Sequence, residues 1–410
     1  MNSKTLLVIA GSTLALVGAA AWLTSSRGGS SVTAAAGSQE KLFPGLAERT
    51  GEVAKVVITR AGKQTVVARD GAAWKVESLA GYPAKFDVLR PLVGALAEAQ
   101  VTEAKTSKPD LYPRLEVEDA TAESAKSTQV TLLDATGGVM ADLIVGKMEA
   151  GVPSSDPFNP PPSDGVQRRY VRKAGEAQSW LARIDLAPPA EALELVERNV
   201  LEIRNERVKG ATITHPAAGD APAEVVSVSR ASDKETAFAI ANMPPGMKPK
   251  DEFAASRVAQ ALSFLTLEGV KPAAEIDFAA AGAVKGVFEC FDGTSVTVTM
   301  VEQGGKPWAR FEVTYVEPPA EPPAAEEGAQ ATAAELTEAQ KAIRESVKKD
   351  AAALQAKVAG WAYQLPEFKA TQLKTRLAEL LTEETPPTAL PGGPADVPAG
   401  GGLLVPDQGE

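Results

Sequence analysis

The sequence predicts an α+β fold: two tandem repeats of antiparallel strands with a packed helix, behind one N-terminal transmembrane helix. Three observations predict it. Residues 53–59 read VAKVVIT, and the pattern returns at 208–214 as VKGATIT. An apolar stripe at helical spacing, Leu89, Leu92, Val93 and Leu96 followed by Val101, returns in constant register as Val258, Ala261, Leu262, Leu265 and Val270. Residues 5–23 carry no charge and are just long enough to cross a bilayer of about 30 Å.

The elements follow in chain order. Residues 1–24 form the anchor, with Lys4 before the apolar run and Arg27 after it. That bias places the N-terminus in the cytoplasm and the rest outside. A cleaved signal peptide is the competing reading, since residues 34–36 and 19–21 both fit an A-x-A site. Gly11, Ala15 and Ala19 recur on one helix face, a spacing that lets two membrane helices pair into a homodimer. In an Ala-rich segment the same spacing also arises by chance. Residues 25–41 read as a flexible tether.

The first repeat covers 42–199. Its β-branched run at 53–59 leads to a second strand at 63–69, a turn at Asp70-Gly71 and a return strand from Trp74. Pro83 sits ahead of a helix whose stripe also includes Phe86, and Pro91 lies inside that helix, where it kinks or delays it. Hairpins join 128–134 to 139–145 and 168–172 to 179–183, and 188–198 reads as a short helix. The second repeat covers 200–383. Strands at 287–291, 296–301 and 308–315 echo those of the first, and Trp180 corresponds to Trp361. An insertion at 317–350 begins Pro-, Ala- and Glu-rich, and helix propensity is high from 333 to 358. A last helix spans 366–381, and 384–410 is a Pro/Gly-rich tail.

Composition narrows the function. The 410-residue chain has a net charge of −11 and a pI near 5.0. Binding to nucleic acid phosphates needs a basic surface, so nucleic acid is not expected as a partner. One cysteine, Cys290, rules out an intramolecular disulfide. It lies in an alternating apolar stretch and reads as a small buried hydrophobe rather than a nucleophile. His215, the sole histidine, ends a strand before Pro216, a common place for a merely polar residue. One Cys and one His cannot make a zinc cluster. Glu116, Glu118 and Asp119 read as a solvated turn, although paired carboxylates could serve a hydrolase. Asp156, Asn159 and Asp164 in the loop 153–165 have oxygen-ligand spacing for Ca²⁺, but its prolines and missing bidentate Glu argue against a site. No phosphate-loop motif occurs. Neither a catalytic constellation nor a cofactor is expected. Trp74, Trp180 and Trp361 sit in alternating strands and read as core; Tyr82, Tyr112 and Phe158 are the candidate partner contacts.

Several of these motifs resemble a bacterial family known as domain of unknown function 4340. They are residues 42–46 (LFPGL) ahead of Val56–Ile58, residues 69–71 with 74–76, and Tyr82-Pro83 opening the helix. The match continues through 105–107, Leu111-Tyr112, Leu115, 130–134, 145–146, 170–172 and 360–363. The resemblance covers roughly 42–380 without the insertion. It implies one N-terminal membrane helix, an extracytoplasmic body, and company with ABC-type export or gliding-motility components. It carries no catalytic residues over. The expectation is therefore a non-enzymatic accessory or scaffold subunit of a membrane transport or envelope complex. It would be single-pass in the bacterial inner membrane, with its body in the periplasm or otherwise outside. The alternative is a module that binds cell-envelope polysaccharide or lipid.

Overall fold

A computed structural model describes residues 40–149, 167–217, 219, 222–319 and 337–384. The predicted membrane helix, nearly all of the tether, the proline loop with Phe158, the middle of the insertion and nearly all of the tail lie outside them. Among the described residues no helix is long and apolar enough to cross a membrane. What they form is mostly antiparallel sheet with a few helices.

The first sheet uses β1 (Val53–Arg60), β2 (Lys63–Asp70), β3 (Ala73–Val76), β4 (Tyr82–Pro83), β5 (Gln100–Ala104), β6 (Thr128–Asp134), β7 (Val139–Met148), β8 (Arg168–Lys173) and β9 (Ser179–Arg183). Then β10 (Asn199–Leu201) leads into β11 (Val208–His215), β12 (Glu224–Ser229), β13 (Ala239–Ile240), β14 (Met247–Pro249), β15 (Leu265–Thr266), β16 (Gly269–Pro272), β17 (Val284–Cys290), β18 (Thr294–Gln303), β19 (Lys306–Tyr315), β20 (Trp361–Gln364) and β21 (Leu381–Glu383). The first sheet is ordered β4-β3-β2-β1-β6-β7-β8-β9-β5. The second is ordered β13-β12-β11-β17-β18-β19-β20-β16. Apart from β4, the two sheets repeat one strand order.

Register repeats as well. Val56 pairs with Leu132, as Ala211 pairs with Phe288. A register shift falls between Val53 and Lys55 in β1 and again between Val208 and Gly210 in β11. Val101 faces Ala182, and Val270 faces Tyr363, so Trp180 and Trp361 occupy equivalent positions. A bulge bends a strand and is kept within families. Its return at the same place is structural evidence that the two sheets repeat one unit. The alternation explains the strands: Val208, Ala211, Ile213 and His215 turn inward while Lys209 and Thr214 face solvent.

Several elements differ from the sequence expectation. Pro83 belongs to β4, and the helix begins at Phe86, where the Phe86 ring is exposed; Leu89, Leu92 and Leu96 are buried as expected. Pro91 lies within that helix. The second-repeat helix is only Ala254–Ala259. Leu265 keeps its buried position but sits in β15, held by pairing with β10. The expected helix at 188–198 is a single tight turn, Ala192–Leu195, after Glu191 in extended conformation. The last helix stops at Leu373 and is followed by the turn Leu377–Leu380. There Glu224 of β12 takes the Arg376 guanidinium at 3.0 Å and the Leu377 N–H at 3.0 Å. This tertiary contact outweighs local propensity. The long helix Glu338–Val358 starts from a capping box, in which Thr337 Oγ1 accepts from the Gln340 N–H and Gln340 Oε1 accepts from the Thr337 N–H.

One hydrophobic core joins the two sheets. At the junction Tyr82 of β4 meets Trp361 edge-on, with ring centroids 4.9 Å apart, and lies 6.2 Å from Tyr363. The Lys85 N–H donates to Leu195 O at 2.7 Å, and Ala84 bridges to Val196.

Candidate binding cleft

Tyr82 is 3% exposed and belongs to the junction between the sheets. Tyr112 is 7% exposed; its hydroxyl donates to Ala177 O at 2.6 Å, and the Arg172 guanidinium lies 4.5 Å from its ring centre. Both rings are spent on intramolecular contacts. Phe158 lies outside the described residues.

The candidate chemical groups are equally engaged. Cys290 is buried, and burial pushes its thiol up to about 12. It pairs with Val208 at one end of β11, while His215 ends the other. Seven residue steps along the strand separate those ends by about 23 Å, so the two cannot form a dyad. His215 Nε2 bonds to Thr375 O at 3.0 Å. Among the three acids of the turn, Asp119 pairs with Arg172, and Glu118 Oε1 accepts from the Lys126 N–H. Glu118 Oε2 is buried without a partner. Among the described residues no group of three or more His, Cys, Asp or Glu could hold a metal ion. The loop 153–165 lies outside them.

A different place collects unspent groups. Three segments of the second repeat enclose a cleft of about 700 Å³: the turn ahead of β11, the turn after Ala254–Ala259, and the helix Glu367–Leu373. Buried Arg230 fixes the first turn by donating from Nη2 to Asn205 O at 2.8 Å and Glu206 O at 2.7 Å. Ser263 Oγ holds the second by donating to Ile203 O at 2.9 Å. Lys369 ties the helix to that turn, donating from Nζ to Ser263 O at 2.5 Å and Gln260 O at 3.3 Å.

On this frame stand two exposed rings. Phe264 is 71% exposed and Phe368 is 62% exposed, and both line the cleft. Phe264 also has φ 50°, a left-handed conformation that is costly for a bulky side chain. Beside the rings, Asn205 Oδ1 and Gln372 Oε1 are buried acceptors with no hydrogen-bond partner. Lys369 is 5% exposed, and burial lowers its pKa. Such groups cost stability in the free protein. The arrangement suits a ligand with an apolar part for the rings and donors for the oxygens.

Register shows where the two copies differ at the cleft. Because Leu96 corresponds to Leu265, Phe264 stands where the first copy has Ala95 inside a continuous helix. Because Trp180 corresponds to Trp361, Lys369 stands where the first copy has Pro188. The second copy's helix ends early, and the freed turn turns Phe264 outward. The sequence places Phe368 within the expected last helix at 366–381 and singles out none of the cleft residues as functional. The change from Ala95 to Phe264 was the signal that could have found them.

A family model described as Domain of unknown function (DUF4340) matches residues 74–277. The match starts at Trp74 in β3 and crosses into the second repeat as far as Asp277, beyond Phe264. Neither the curated proteins nor the solved structures hold a match.

Proposed function

The chain belongs to the family of the domain of unknown function 4340, and from that premise we propose that it is a non-enzymatic accessory or scaffold subunit of a membrane transport or envelope complex. The single observation that carries this reading is the cleft with Phe264 and Phe368 exposed at its rim. Aromatic anchors around a small polar set are the usual centre of a docking surface. The continuous core behind the cleft supplies a rigid support. In this reading residues 1–24 anchor the body to the bacterial inner membrane and the body lies outside the cytoplasm. Helix pairing through Gly11, Ala15 and Ala19 would add a homodimer.

Affinity purification of the full chain from detergent-solubilised membranes tests it. A stoichiometric protein partner is expected, and Phe264→Ala with Phe368→Ala should release it. Recovery of the chain alone at native expression opposes the proposal. A second reading, an envelope polysaccharide module, draws on the same cleft, since sugar hydroxyls could donate to Asn205 Oδ1 and Gln372 Oε1. Retention of envelope glycans by the purified chain would favour it.

A further inference from the structure

We propose that the cleft at Phe264 and Phe368 recognises a short acidic peptide segment of a partner protein, with a bulky apolar residue next to a carboxylate. The inference rests on the docking reading above and names the chemistry of the segment. Three independent features specify it.

The first is charge. Lys369 is nearly buried; its hydrogen bonds go to two main-chain carbonyls, and its ammonium lies 5.6 Å from the centre of the Phe368 ring. Among the described residues it has no ion pair with a carboxylate. A buried cation without a countercharge is costly, and an incoming carboxylate relieves that cost. A neutral sugar would leave it in place. The chain as a whole carries −11, so attraction for an acidic segment is local to the cleft, where Lys369 and Arg204, the latter paired with Glu202, stand against the Glu206 carboxylate. The segment is thus selected at contact rather than steered from a distance.

The second is polarity of the hydrogen bonds. Asn205 Oδ1 and Gln372 Oε1 both lack donors. Both oxygens are buried beneath the lining, so they bond to the N–H groups of an extended backbone once the Asn205 and Gln372 side chains turn into the cleft. The third is the pair of rings. Phe264 and Phe368 leave large apolar surfaces in water, and an apolar side chain set against them removes both from it. Phe264 presents its exposed ring from a left-handed backbone.

Fluorescence anisotropy on the purified full chain tests the inference. The probes are a labelled octapeptide GSDLFDSG, its amide counterpart GSNLFNSG and its polar counterpart GSDSSDSG. The acidic apolar peptide should bind at least about tenfold more tightly than either control, a difference of roughly 1.4 kcal/mol. Phe264→Ala with Phe368→Ala should weaken it by at least about tenfold, and Lys369→Gln should bind the acidic and amide peptides alike. If Lys369→Gln does not fold, the comparison of acidic with amide peptide on the unaltered chain carries the charge test, and the two exposed phenylalanines carry the site test.

Equal binding of all three peptides, binding unchanged by the ring substitutions, or absence of binding overturns the inference. So does displacement of the peptide by a neutral N-acetylglucosamine hexamer, which would assign the cleft to glycans. Recovery of a partner from membranes without peptide binding rejects this inference alone. Peptide binding without any partner rejects the accessory-subunit reading and leaves the cleft chemistry standing.

Discussion

Phe264 carries two costs at once, a left-handed backbone and an exposed ring. Glycine removes both, so Phe264→Gly should raise stability by about 1 kcal/mol while abolishing whatever the cleft binds. Thermal unfolding and the anisotropy assay check the two halves separately. Asp142 shows the opposite economy. Burial holds its carboxyl above the ordinary carboxylate range, against hydrogen bonds from Gln129 Nε2 at 2.7 Å and Thr131 Oγ1 at 3.0 Å. A raised folded value means its contribution is fully present below the unfolded value and lost as pH rises through the folded one. Asp142→Asn keeps an acceptor oxygen and has no such loss. Its melting temperature should therefore gain on the parent as pH rises through and above the ordinary carboxylate range, read by thermal unfolding across a pH series. Cys290 should resist alkylation at pH 8 in the folded protein and react only after unfolding, because burial keeps the thiol protonated. Rapid labelling of the native chain would contradict that placement.

At the scale of the element, the hairpins were legible because alternation and turn residues coincide. The expected strands at 128–134, 139–145, 168–172 and 179–183 lie within β6, β7, β8 and β9. Helix ends were not legible, because distant groups decide them. Glu224, on another strand, captures Arg376 and the Leu377 N–H, and a helix that propensity alone would continue stops short. Close backbone approaches are similarly invisible in a sequence. Gly146 lies in β7 under the turn at 115–117, and an added Cβ would collide with the main-chain oxygens of Leu115 and Glu116. Gly146→Ala should therefore cost at least about 2 kcal/mol, readable as a lower denaturant midpoint with the slope unchanged. A midpoint equal to that of the parent would show that this turn can move aside.

For the whole molecule, the decisive feature is that two repeats share one core. Tyr82 is its clearest bond: it leaves the edge of the first sheet and packs against Trp361 and Tyr363 of the second. Tyr82→Ala should cost about 3 kcal/mol. Calorimetry should show one unfolding transition in the parent and two in the variant, as the repeats lose their coupling. A variant that still unfolds in one step would assign the coupling to other contacts, such as the strap from Leu195 to Leu201.

The sequence by itself determined the order of the repeated elements along the chain, the hairpins and most of the buried positions. These follow from local periodicity, and a pattern of two or of 3.6 needs no knowledge of the far side of the molecule. Only the tertiary structure decided where Tyr82 goes, where the second helix ends and which polar atoms lack partners. Asn205, Phe264, Lys369 and Gln372 come from segments far apart in the chain. A missing hydrogen bond is a property of everything that surrounds an atom, and that exists only once the sheets, turns and helix have packed.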